Sequence, residues 1–129
     1  MRYHLTIPLL LLLAACAIAS PGCDRADASA ATQLTGGGNP DRGRDLIRYY
    51  GCSSCHTIPD VRGADSLVGP PLTHMASRTY IGGVLKNTPD NMMRWLQDPP
   101  SVDHQTAMPN VRVNESDARD IAAFLYTLH

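Results

Sequence analysis

The sequence predicts an all-α domain in which three main helices are joined by long loops, and three observations predict it. Segments opening at Asn39, Thr88 and Asn114 each begin with a residue that caps helix N-termini and continue with apolar side chains at helical spacing. The stretch from Thr57 to Leu72 holds Pro59, Gly63, Gly69, Pro70 and Pro71, which exclude regular structure. A chain of 129 residues with 10 Gly, 10 Pro, one Trp, five Tyr and one Phe has apolar bulk for one modest core, which excludes a large two-domain enzyme. Eleven Lys and Arg against twelve Asp and Glu leave a formal charge of −1, with no basic footprint for nucleic acid.

The chain opens with Met1-Arg2-Tyr3-His4, which carries one positive charge, followed by an apolar run from Leu5 to Ala15 that is too short to span a bilayer. Residues 1–15 therefore read as a signal peptide. Leu13-Ala14-Ala15-Cys16 resembles the bacterial lipobox, in which cleavage precedes a cysteine bearing diacylglycerol, so Cys16 is the expected lipid anchor. Two other readings stand beside it: Ala17-Ile18-Ala19 suits ordinary secretion, and Ser20-Pro21-Gly22-Cys23 is a second, poorer lipobox. Each exports the domain, either to the outer face of a bacterial cytoplasmic membrane or as a soluble periplasmic protein. Residues 16–38 are expected to be a lipidated flexible linker, because Asp24 to Gly38 is small and polar and ends in Gly36-Gly37-Gly38. Residues 39–129 are the expected folded domain.

The first helix starts on Asn39-Pro40-Asp41, a cap, a first-turn proline and an acid near the positive helix end. Leu46, Ile47 and Tyr50 form its apolar stripe, and Gly51 can stop it just before Cys52. Cys52-Ser53-Ser54-Cys55-His56 is the attachment pattern for a covalent c-type haem. Two thiols so spaced can add to the two vinyl groups on one side of a protoporphyrin, and the adjacent imidazole then reaches the iron. A thioredoxin-like pair would need a preceding strand, and a zinc site would need more ligands at similar spacing. The structureless stretch that follows, unusual in a compact domain, makes sense as a wrap over one haem edge.

Thr88-Pro89-Asp90 repeats the cap, proline and acid, with Met92, Met93, Trp95 and Leu96 as apolar positions before Pro99-Pro100 ends the second helix. Asn114-Glu115-Ser116-Asp117 resembles a capping box, and Ile121, Phe124, Leu125 and Leu128 form one face of a terminal helix.

Residues 39–128 resemble the class I cytochromes c, and more closely the haem-c domains fused to subunit II of caa-type terminal oxidases. The shared stretches are Gly51-Cys52-Ser53-Ser54-Cys55-His56-Thr57-Ile58-Pro59, Gly69-Pro70-Pro71-Leu72, Asn87-Thr88-Pro89 and Thr106-Ala107-Met108-Pro109. The resemblance implies the class I cytochrome c fold, with the terminal helix packed across the first. It also implies that the Pro70 carbonyl accepts a hydrogen bond from the free ring nitrogen of His56. It puts Arg78 near a haem propionate, with a solvated surface arginine as the plainer reading, and Trp95 near the sixth iron ligand, which is compatible with simple core packing. The spacing from Gly43 to Cys52 is one residue longer than in many members.

The sixth ligand separates the functional classes, since an open position suits gas binding or peroxidase chemistry and a second protein ligand suits electron transfer. Met92 and Met93 fall inside a predicted helix, His129 is terminal, and His74 and Met75 follow the Pro70 loop too closely to cross the macrocycle. Met108 lies in an extended segment before Pro109, at a spacing similar to that of the family's axial methionine, and is preferred over His104. The expected function is a monomeric electron carrier, not an enzyme, with one haem c, working between membrane-bound redox proteins such as a quinol-oxidising complex and a terminal oxidase. The alternatives are a haem subunit of a periplasmic dehydrogenase or sulfur-oxidising enzyme, and a redox or gas sensor. The near-neutral charge lacks the lysine excess that many cytochromes c use for docking.

Overall fold

In the computed structural model of the chain, residues 22–129 are described; the expected signal peptide over residues 1–15 and the anchor Cys16 lie outside them. The helices are α1 (Gly22–Leu34), α2 (Pro40–Tyr49), α3 (Pro89–Gln97), α4 (Pro99–Val102) and α5 (Glu115–Leu125). Between α2 and α3 a short antiparallel hairpin pairs β1 (Tyr80–Ile81) with β2 (Leu85–Lys86), Tyr80 opposite Lys86 and Ile81 opposite Leu85.

Local chemistry sets the helix starts. The Asn39 side chain accepts from the Arg42 amide at 3.1 Å, the Thr88 hydroxyl from the Asn91 amide at 3.3 Å, and the Asn114 side chain from the Asp117 amide at 2.9 Å. α3 ends at Gln97, just before Pro99-Pro100, as the sequence implies. Asp98 leaves the helical region (φ −153°, ψ 76°) because the residue before proline is pushed out of it, and Pro99 then begins a separate single turn.

α2 and α5 cross so closely that a Cβ at Gly43 would sit 2.0 Å from the Asp120 carbonyl oxygen, which only glycine permits. Ile47 and Ile121 are buried, and the polar side of the crossing is latched by carboxylates. The Arg42 guanidinium donates to both Asp117 and Asp120, the Tyr50 hydroxyl donates to Asp117 at 2.6 Å, and the Asn39 amide donates to Asp120 at 2.8 Å. α3 buries Met92, Trp95 and Leu96 in the same apolar cluster as Phe124 and Leu125 of α5.

The flexible linker expected over residues 16–38 requires correction in its described part, because α1 occupies much of it. Alanine-rich sequence forms helix at little cost, and the small side chains of Ala28, Ala31 and Thr35 recur at helical spacing. Ala31 is 2% exposed, and the buried Thr35 hydroxyl closes the helix end by donating to the Ala31 carbonyl at 2.8 Å. A face built of small residues packs without the large apolar stripe that normally betrays a helix.

Hydrogen bonds, first from Tyr50 and then from Arg42, hold the Asp117 carboxyl below the usual carboxylate range against the opposing effect of burial. The stabilisation from the ionised form is present above the ordinary carboxylate pKa and is lost as pH falls through the lowered folded value. Asp117→Asn should therefore destabilise the holoprotein by about 1–3 kcal/mol at neutral pH. Chemical denaturation at stepped pH should show the gap between the variant and the unmodified protein narrowing on acidification; a gap that widens would reject this role.

Candidate functional site

An apolar cavity of about 380 Å³ lies between α2, α3, α5 and the loops around residues 68–72 and 106–111. Its walls include Ile47, Ile81, Met92, Leu96, Ile121 and Leu125. Every cofactor-site residue expected from the sequence lines it: Cys52, Cys55, His56, Pro70, Arg78, Trp95 and Met108.

The thiols and the imidazole arrive together on a single tight turn. Gly51 takes a left-handed conformation (φ 73°) that ends the α2 path, and Cys52–Ser54 then form a 3₁₀ turn. The Cys55 and His56 amides both donate to the Cys52 carbonyl, at 3.2 and 3.0 Å. Cys52 and Cys55 are not paired in a disulfide, and burial pushes the Cys52 thiol up.

The Pro70 loop is clamped back onto this turn. The Gly69 amide donates to the Cys55 carbonyl at 2.6 Å and the Leu72 amide to the Thr57 carbonyl at 2.8 Å. His56 Nδ1 lies 2.7 Å from the Pro70 carbonyl oxygen. A proton on Nδ1 satisfies that contact and leaves the Nε2 lone pair for a metal. A Cβ at residue 69 would come within 2.5 Å of the imidazole, so the glycine lets the loop close on the ring.

Arg78 is half-buried and staples the next part of the loop by donating to the Pro71 carbonyl and, at 2.9 Å, to the Thr73 carbonyl. The Trp95 ring packs against Gly82 in the hairpin turn. Met108 is half-buried in a segment without regular structure, its amide donating to the Thr106 hydroxyl at 3.2 Å. Among the other candidate ligands, Met75 and Met92 also line the cavity and are buried, whereas Met93, His74, His104 and His129 lie outside its lining.

The roles of two supporting residues escape sequence reasoning. Asn87 donates from Nδ2 to the Met75 and Arg78 carbonyls, both at 2.8 Å, and accepts from the Tyr126 hydroxyl at 2.8 Å. Burial pushes that hydroxyl up to about 12, so it stays a donor. This joins the loop under Arg78 to the end of α5, a role that the shared stretch Asn87-Thr88-Pro89 does not disclose, since an asparagine before a helix cap reads as an ordinary turn. Tyr50, read as core, lines the cavity while its hydroxyl serves the Asp117 latch.

The donor set fits a haem. Among the described residues no group of three or more His, Cys, Asp or Glu side chains could hold a bare metal ion. One imidazole and one thioether beside an apolar space suit an iron whose remaining donors come with its macrocycle, and two neighbouring thiols suit its covalent attachment.

The family model described as Cytochrome c matches residues 40–129. Cytochrome c oxidase subunit 2 of Alkalihalophilus pseudofirmus is 30% identical over 89 residues, covering 68% of this chain and 25% of the relative. The subunit 2 of Bacillus subtilis is 29% identical over 87 residues, 66% of this chain and 24% of the relative. That of Bacillus sp. strain PS3 is 36% identical over 60 residues, 45% and 17% of the two chains. The chain thus spans about a quarter of the length of the first two curated relatives. No solved structure matches it significantly.

Proposed function

Because the chain belongs to the cytochrome c family, with its all-α class I fold, covalently bound haem c and role in electron transfer, we propose that it carries single electrons between membrane respiratory components toward a terminal oxidase. The observation that carries this reading is the convergence of Cys52, Cys55, His56 and Met108 on one apolar cavity. When bound there, the haem supplies a one-electron iron couple.

In this reading Cys52 and Cys55 would hold the group covalently, and the His56 imidazole and the Met108 thioether would supply the protein's ligands to its iron. The Pro70 carbonyl orients His56, Arg78 keeps the adjoining loop in place, and Trp95 packs the methionine side. The apolar walls exclude water, and the clamped loops limit rearrangement when the charge changes. The oxidase as acceptor is supported by the similarity to oxidase subunits. Because those relatives are subunits and this chain covers about a quarter of their length, the haem domain of a larger oxidoreductase is the second reading.

The signal peptide over residues 1–15 and a lipid on Cys16 form part of the proposal, the motif Leu13-Ala14-Ala15-Cys16 being their support. Among the described residues no helix is long and apolar enough to cross a membrane. In this reading the signal peptide exports the domain and the lipid tethers it to the outer face of the cytoplasmic membrane. Mass spectrometry of the mature amino-terminal peptide checks the anchor, a lipid-free start at Ser20 being the contrary result.

The functional test is direct. Ferrous holoprotein mixed with air-saturated membranes containing a cytochrome c oxidase should be reoxidised rapidly, and cyanide should block the reaction. Persistence of the ferrous spectrum under those conditions would reject the oxidase as acceptor.

A further inference from the structure

Seven residues both line the cavity and are exposed, Gly51, Val68, Pro70, Gly82, Ala107, Pro109 and Val111, and the five that carry apolar side chains fall in the two loops around residues 68–70 and 107–111. Beside them Leu67 is 82% exposed and Val68 81% exposed. Two adjacent branched apolar side chains in water are costly, and this exposure is held in place by the backbone on both sides. Thr57 pairs with Asp65 and donates from its hydroxyl to the Ser66 carbonyl at 2.9 Å, while the Gly69 amide donates to the Cys55 carbonyl at 2.6 Å. Leu67 and Val68 are therefore presented outward by a pinned loop. In the other loop of the opening a local turn is fixed by the Arg112 amide, which donates to the Asn110 side chain at 2.8 Å.

Charge is almost absent from this rim. Residues 65–72 and 105–112 contain one acid, Asp65, and one base, Arg112, which cancel. The only lysine in the sequence, Lys86, sits on β2, outside the cavity lining. We propose that Leu67, Val68, Ala107, Pro109 and Val111 form a docking surface for an uncharged, apolar patch on the redox partner, so that recognition proceeds by desolvation and not by charge attraction. The proposal rests on the electron-carrier reading and adds the chemistry of the contact. The matching chemistry follows from the rim itself: a charged partner surface would lose hydration against these side chains without gaining an opposite charge. The patch is continuous with the cavity opening, so a partner seated on it approaches the haem edge.

Leu67 lies outside the cavity lining, which makes it the position to change in the full-length holoprotein. Leu67→Glu and Leu67→Lys should each slow reoxidation by membranes containing a cytochrome c oxidase by about tenfold, irrespective of sign. Oxidation by ferricyanide, a small reagent that needs no docking patch, should stay within about threefold. The unmodified protein's rate with membranes should change less than about twofold between ~20 and ~200 mM salt. Opposite effects of Glu and Lys, or a steep salt dependence, would overturn the proposal in favour of charge-steered docking. A dimer in sedimentation that Leu67→Glu abolishes while the membrane rate is unchanged would assign the patch to a second copy. Binding to neutral phosphatidylcholine vesicles that Leu67→Glu abolishes, with the membrane rate unchanged, would assign it to lipid; either result overturns the proposal. If membranes fail to oxidise the unmodified protein while ferricyanide succeeds, the oxidase reading falls, and the docking proposal with it.

Discussion

Replacing both Cys52 and Cys55 by alanine is expected to abolish covalent haem and to deplete most of the folded protein. Among the described residues these are the only two thiols that line the cavity, and they are not paired with each other in a disulfide. Without its occupant the cavity is a large void in a small domain. The apolar side chains that line it lose the burial a haem would give them, at about 25 cal/mol per Å² of apolar surface, a loss that weighs heavily against the marginal stability of such a domain. Loop collapse would recover part of that loss without restoring the fold. Expression with a cytochrome c maturation system should give coloured, stable protein from the unmodified gene and little from the double variant. Acidified acetone should leave the unmodified protein's haem with the precipitated polypeptide; haem in the organic layer would reject thioether attachment.

Met108→Ala is expected to remove the weak near-infrared sulfur-to-iron band of the oxidised protein, lower the reduction potential and open the iron to carbon monoxide. A thioether favours ferrous over ferric iron, so its loss moves the couple downward. The unmodified ferrous protein should take up carbon monoxide slowly or not at all. Met92→Ala provides the control, because Met92 also lines the cavity but is buried within α3. If the band survives in Met108→Ala and disappears in Met92→Ala, the ligand assignment moves and the carrier reading stands. Rapid carbon monoxide binding by the unmodified protein would instead favour a sensor.

The starts of α2, α3 and α5 are legible in sequence because their signals are local: Asn39, Thr88 and Asn114 each act within three residues. The attachment motif is legible for the same reason, since five consecutive residues carry the thiols and the imidazole. Met108 is distant from that motif, and it is singled out by elimination together with a family resemblance. α1 is hidden because its buried face consists of alanines and a threonine, indistinguishable by composition from a linker. The hairpin is hidden because its strands are two residues each, too short for alternation to register. The Arg42, Asp117 and Asp120 latch is hidden by distance, since nothing local tells an exposed helical carboxylate from one awaiting an arginine 75 residues away.

That same separation has a consequence for how the chain assembles. Bringing Arg42 to Asp117 in a free polypeptide closes a loop of 75 residues, whose entropy must be surrendered before the latch forms. If His56 and Met108 both ligate the haem iron as proposed, the shortest path between the two helices would fall to roughly 23 residues and the closure cost by about 1 kcal/mol. Haem insertion would then act as a fastener between the halves of the chain, and the encounter of α2 with α5 should be faster after ligation than before it.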